Sequence, residues 1–212
     1  MSDRFHDVAQ GTYEWLCCRM GKVTGSKISD VMSKGRGGGE SVGRRNYRAQ
    51  LALERINQRP IKDEFYNSHM RRGNALESDA RIIYEFRTGA EVKQIGFVDH
   101  AIIDGYGVSP DGMVGKNGLV QIKCPIPSIH METLFTKTVP SEYVKQMQAE
   151  MDCTDCEWND FVSYNEDMPI DGQIAIVRLY RDDKIIHQEM RPEIIRFLAE
   201  VETMVERLKA LR

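Results

Sequence analysis

An aspartate in a tight turn and a lysine set inside an apolar strand are the residues of this chain whose types and spacing point most directly to chemistry. Asp111 lies in Ser109-Pro110-Asp111-Gly112, where proline fixes φ and glycine frees it, a combination that makes a turn. Beyond it, Met113-Val114 and Leu119-Val120-Gln121-Ile122 read as two short strands joined by Gly115-Lys116-Asn117-Gly118, a hairpin that delivers Lys123. Side chains alternate along a strand, so Gln121 and Lys123 share a face, and Asp111 converges on it from the start of the first strand. The chemistry that uses such a set is metal-assisted phosphodiester hydrolysis. A carboxylate and a strand-borne oxygen hold Mg²⁺, and the lysine orients or deprotonates the attacking water. The same residues also fit a surface hairpin whose aspartate serves only its turn, and spacing alone does not choose between the two.

The surrounding elements must position this set. A helix is predicted from about His69 to Phe86, with Leu76, Ala80, Ile83 and Tyr84 as its core stripe and Glu77 at the margin. A carboxylate there needs a partner, either Arg81 one turn on or a metal. The stretches Glu91 to Val98 and Ala101 to Val108 read as strands leading into the turn. Thr24 to Met32 reads as a helix entered through hydroxyls; Thr24 or Ser26 would cap it, or its N-terminus would receive an anion beside Arg19. Arg44 to Asn57 is a second helical stretch, carrying Tyr47, Leu51, Leu53 and Ile56 and stopped by Pro60. Pro140 to Met151 is another, with Ser141 as cap. Trp158 to Tyr164, Gln173 to Tyr180 and Lys184 to Met190 read as strands. A terminal helix over 192–212 places Ile194, Leu198, Val201, Val205 and Leu208 on one core-facing stripe. These elements predict an α/β fold with a central mixed sheet flanked by helices, forming a single domain over 1–212.

Composition narrows the classes. At 212 residues and 41% hydrophobic, the chain can bury one sizeable core. No apolar run approaches a membrane span and the first residues lack a signal-peptide pattern, so a cytoplasmic protein is expected. Five cysteines at irregular spacing suit a reducing compartment, and Cys153-x-x-Cys156 has no second ligand pair to complete a zinc or cluster site. His6, His69, His100, His130 and His187 are scattered, each reading as surface or core, His69 least securely because it opens the Glu77 helix.

A net charge of −3 argues against a nucleic-acid partner, but its distribution argues for one. Arg19, Lys22, Lys27, Lys34, Arg36, Arg44, Arg45 and Arg48 crowd one segment, opposed within it only by Asp30 and Glu40. Lys34-Gly35-Arg36-Gly37-Gly38-Gly39 reads as a mobile basic loop near 34–44 able to follow a phosphate backbone.

The string Ser109-Pro110-Asp111-Gly112, followed by Ile122-Lys123-Cys124-Pro125, resembles the phage lambda exonuclease family within the PD-(D/E)XK nucleases. Three further blocks stand in family order: Trp15 to Ser26, Arg72-Gly73-Asn74-Ala75-Leu76-Glu77, and Tyr143-Val144-Lys145-Gln146-Met147-Gln148. The resemblance implies a restriction-endonuclease-like core and an Mg²⁺-dependent 5′-to-3′ exonuclease, with Mn²⁺ as a substitute ion. Such an enzyme degrades one strand of linear double-stranded DNA to mononucleotides and leaves a 3′ overhang for recombination. It implies metal ligation by Glu77, Asp111, Gln121 and the Ile122 carbonyl, with Lys123 completing the catalytic set. It further implies a 5′-phosphate pocket of Arg19, Ser26, Ser109 and Gln148, with Arg36 and Arg45 along the duplex. A homotrimeric ring and a single-strand annealing protein as partner are implied in the same way. The chain departs from the family where Gln121 replaces a glutamate, because an amide offers an oxygen without the charge that holds a hard cation. That departure keeps open a catalytically impaired DNA-end-binding protein, and a related endonuclease would share the same metal core.

Overall fold

The structure is a computed structural model that describes residues 4–61 and 68–211, and only the backbone for residues 68–74. Two sheets organise it. Phe5–His6 (β1), Val23–Thr24 (β2), Phe97–Asp99 (β4) and Tyr106–Val108 (β5) form a sheet in the order β1-β4-β5-β2, with β2 and β5 parallel. Val92–Lys93 (β3), Gly112–Val114 (β6), Gly118–Lys123 (β7), Trp158–Tyr164 (β8) and Ile174–Tyr180 (β9) form the second, in the order β3-β6-β7-β8-β9. Within it only β7 and β8 run parallel. A parallel pair needs a crossover, and Pro127–Thr136 (α5) and Ser141–Thr154 (α6) supply it.

Strand β7 is central and covered on both faces, which explains its nearly unbroken apolar run. Val120 and Ile122 pack against Leu76, Ala80 and Tyr84 of the long helix Ser68–Thr88 (α4). Leu119, on the opposite face, meets Met151 of α6. Gly118 lets the Trp158 ring lie against the strand, since a Cβ there would run into the indole. The larger core joins the first sheet to Val42–Asn57 (α3) and Arg191–Lys209 (α7) through Tyr47, Leu51, Phe197, Val201 and Val205. Leu198 and Leu208 border it, so the terminal stripe is core, whereas Leu53 of α3 is exposed.

Several expectations are corrected. Lys184 to Met190 is not a strand: Ile185–Met190 is a π-helical turn running directly into α7, which buries Ile186 and Met190 four residues apart. Glu91 to Val98 divides into β3 and β4, and of Ala101 to Val108 only β5 is extended. Thr24 and Ser26 make no side-chain cap: Gly25–Lys27 is a 3-10 turn before the short helix Ile28–Met32 (α2). Ser141 is the first residue of α6 rather than its cap. The glycine-rich segment is a loop as expected, folded back so that Gly35 N–H donates to Gly39 O at 2.7 Å and Lys34 bridges to Glu40. Tyr13–Arg19 (α1) and α5 were not anticipated.

Candidate active site

Asp111 is held against the edge of β7. Its Oδ2 accepts from the Ile122 amide at 2.6 Å and from the Gln121 side-chain amide. The Pro110-Asp111-Gly112 turn therefore serves the strand it faces, and Asp111 meets the Gln121 side chain and the Ile122 backbone in one place, through their N–H groups. Burial pushes the Asp111 carboxyl up, against the pull of Lys123, the Ile122 amide, Arg81 and Gln121. Glu77 joins from α4. Burial also raises its carboxyl, and the Asp111 charge raises it further, while Arg81 and Lys123 oppose. Arg81 Nη1 stands 3.9 Å from Glu77 Oε1, too long for a hydrogen bond, so the ion pair leaves Glu77 able to take another partner. Two carboxylates that feel each other's charge beside a neutral amide and a carbonyl make a donor set suited to a hard divalent cation. Among the described residues no group of three His, Cys, Asp or Glu side chains stands together for metal binding, so such a site depends on the amide and carbonyl oxygens. Lys123 follows on the same strand, with Nζ 5.3 Å from the centre of the Tyr143 ring.

A second cluster lies at the other end of the Pro-Asp-Gly turn. Ser109 Oγ accepts from Trp15 Nε1 at 2.9 Å and from Arg19 Nη1 at 3.3 Å, and the Arg19 guanidinium stacks 4.1 Å over the Trp15 ring. Parallel pairing of β2 with β5 sets Thr24 beside Gly107, and Ser26 is exposed in the 3-10 turn that follows. A Cβ at Gly25 would meet Val108 at 3.2 Å and Gln146 Cγ at 3.8 Å, so this turn packs directly on α6.

Gln148 does not join this cluster. Its side chain is buried, donating to Tyr180 O at 2.9 Å and accepting from the Asp182 amide at 2.9 Å. Gln146 faces the site instead, donating from Nε2 to Gln121 Oε1 at 2.7 Å and to Glu150 Oε1 at 2.9 Å. Two residues along a helix turn by about 200°, so the two glutamines of the motif look in opposite directions. Glu150, missed from the sequence, was legible as the i+4 neighbour of Gln146. Its Oε2 accepts from Asn159 Nδ2 at 2.8 Å, and Asn159 Oδ1 is buried without a partner among the described residues.

Burial pushes Glu150 up to about 8, aided by Asp111 and opposed by Gln146, Asn159 and Lys123. A folded value above the unfolded one, near 4.5, means that the folded state binds more protons between these limits. Stability contributed by this group therefore falls as pH rises through that window. Glu150→Gln is expected to raise stability at pH 9 by on the order of 2–4 kcal/mol and to change it little near pH 5, as followed by thermal melts.

The basic segment is partly consumed internally. Arg44 and Arg48 both pair with Glu40 and with Glu200 from α7, and Lys22 pairs with Asp99 at 2.6 Å. Arg36 and Arg45 are exposed. His100 and His130 are buried and hydrogen-bonded, His6 pairs with Asp99, His187 lies 3.6 Å from Asp183, and the His69 side chain lies outside the described residues. Cys153 and Cys156 are buried, and burial raises both thiols. Among the described residues no helix is long and apolar enough to cross a membrane.

Residues 14–157 match the YqaJ-like viral recombinase domain, a span that holds both clusters. The chain belongs to the YqaJ-like viral recombinase family. An alkaline exonuclease (LHK-Exo) from Laribacter hongkongensis is 43% identical over 94% of this chain and 97% of its own, with a TM-score of 0.86. The structure of LHK-Exo in complex with dAMP matches equally well. A phage related exonuclease from Haemophilus somnus 129PT is 15% identical over 89% of this chain and 95% of its own, with a TM-score of 0.62, a likeness of fold. No curated protein sequence matches the chain. This YqaJ-like chain is thus of the lambda-exonuclease-like kind that its motifs pointed to, and its two sheets and flanking helices are the restriction-endonuclease-like fold.

Proposed function

We propose that this YqaJ-like protein is a divalent-metal-dependent exonuclease that degrades one strand of linear double-stranded DNA from its 5′ end, releases mononucleotides and leaves a 3′ overhang. The observation that carries this reading is the single Ser109-Pro110-Asp111 turn, which binds Arg19 and Trp15 at one end and the Gln121–Ile122 edge of β7 at the other. An anion pocket and a hydrolytic centre so joined fix a terminal phosphate at a set distance from the cleavage point. The dAMP complex of LHK-Exo agrees with a mononucleotide product.

Glu77, Asp111, Gln121 and the Ile122 carbonyl would hold the cation, Mg²⁺ or Mn²⁺, which when bound supplies positive charge at the scissile phosphate. Lys123 orients the attacking water or, as the neutral amine, takes its proton, with the Tyr143 ring limiting where its side chain swings. Arg19 and Ser109 grip the 5′-phosphate, with Ser26 closing the pocket from the 3-10 turn. Gln148 is left out of this pocket because both ends of its amide are engaged elsewhere. Arg36 and Arg45, exposed on the basic segment, contact the duplex backbone. A homotrimeric assembly and an annealing partner belong to the same reading.

The Gln121 amide donates to Asp111 and so turns its oxygen away from that carboxylate, an arrangement that favours a second reading, a DNA-end-binding protein that cleaves nothing. Duplexes labelled on one strand at either end separate the readings. The exonuclease shortens each labelled strand from its 5′ end in Mg²⁺ and spares covalently closed circles. Cutting of circles shows an endonuclease, and end binding without shortening shows the inert module.

A further inference from the structure

Three of the buried acidic groups in the described core are satisfied in different ways. Asp160 pairs with Arg178 at 2.8 Å, and Asp152 pairs with Arg191 at 2.7 Å. Glu150, 1% exposed, has only amides: Gln146 on one oxygen and Asn159 on the other. Among the described residues no lysine, arginine or histidine is salt-bridged to it, although Lys123 acts on it from a distance. A buried carboxylate without a counter-charge is costly, and structural glue does not require one, since a glutamine of the same shape could hold the same two neighbours. Both of its oxygens accept N–H donors, the pattern of an ionised carboxylate, a form that burial defers to about pH 8 in the metal-free site and that a nearby cation favours.

The chain of contacts leads from Glu150 into the site. Gln146 Nε2 carries two hydrogens, one given to Glu150 and the other to Gln121 Oε1. Gln121, fully buried, then reaches Asp111. Strand β7 thus lacks a charge at Gln121 while α6 buries one directly across it, linked by a single amide. We infer that Glu150 is a positioning residue whose negative charge stands in for the carboxylate that Gln121 lacks, delivered through Gln146 to the cation held by Glu77 and Asp111. The inference rests on reading this site as a divalent metal centre. Glu150 touches neither cation nor DNA; it fixes the Gln146 amide, which fixes the Gln121 amide, and it adds to the field that attracts the ion.

Calorimetric titration of the DNA-free protein with Mn²⁺ tests this in four forms: the parent chain, Glu150→Gln, Gln121→Glu and the double variant, with Asp111→Asn as control. Glu150→Gln is expected to lose on the order of tenfold in Mn²⁺ affinity without a lower melting temperature. In the Gln121→Glu background the same change is expected to cost less than about twofold, because the strand now carries the charge itself. A half-turn of the Asn159 amide offers its Oδ1 as acceptor to the side-chain amide that Glu150→Gln introduces, so the variant keeps its packing. Gln146→Met, which cuts the link while keeping its length, is the second route and is expected to weaken Mn²⁺ binding as well. Unchanged Mn²⁺ affinity in Glu150→Gln, or an equal loss in both backgrounds, overturns the inference and leaves the metal centre standing. If the parent chain's Mn²⁺ binding survives Asp111→Asn, the metal-centre reading itself fails and this inference falls with it.

Discussion

Lys123→Met is expected to lower the rate of nucleotide release by on the order of 10²- to 10⁴-fold, the usual contribution of a positioned proton-transfer group. The loss should fall on kcat, because the role proposed for Lys123 is on the water and the proposed grip on the terminal phosphate lies elsewhere. Binding of a 5′-phosphorylated duplex, followed by fluorescence anisotropy, should stay within about twofold of the parent. The substitution keeps an unbranched aliphatic side chain of similar length beside the Tyr143 ring, so the fold is not at stake. Equal losses in kcat and in DNA affinity would show instead that Lys123 is a phosphate contact.

The second large effect concerns end recognition. Arg19→Ala removes the charged donor beside Ser109, and hydrogen bonds to charged groups contribute about 1.5–3 kcal/mol. The preference for a 5′-phosphate over a 5′-hydroxyl should therefore shrink by roughly 10- to 100-fold, while the slow rate on hydroxyl ends barely moves. Arg19→Lys should restore little, because the stacked planar fork over Trp15 is what aims the donors. Digestion rates on matched substrates measure both.

Much of this site was legible because its pieces are local. Asp111, Gln121 and Lys123 fall within one turn and hairpin, where period-two alternation settles which side chains meet. Arg19 and Ser26 were legible as a motif, although the caps proposed for Thr24 and Ser26 are absent because a 3-10 turn intervenes. What escaped was set by long-range packing. Glu200 neutralises Arg44 and Arg48 from 156 and 152 residues away, so the basic segment is less basic than its sequence. Ile185 and Ile186 suggested a strand by their branching, but the core wanted Ile186 and Met190 on one helical face. Helix α5 keeps most of its apolar residues exposed and so gave no stripe to read. Gln146 and Gln148 stand two residues apart and face opposite ways, and only the packing of α6 shows that Gln146 is the one reaching Gln121 and Glu150.

The most direct test of the central claim is mononucleotide release from linear duplex DNA in Mg²⁺, comparing 5′-phosphorylated with 5′-hydroxyl ends for the parent chain and for Gln121→Glu. The account predicts that both proteins release mononucleotides, faster from phosphorylated ends, and that neither does so once the metal is chelated. Release that ignores the 5′ end or survives chelation would contradict it, as would two proteins that bind phosphorylated ends and release nothing.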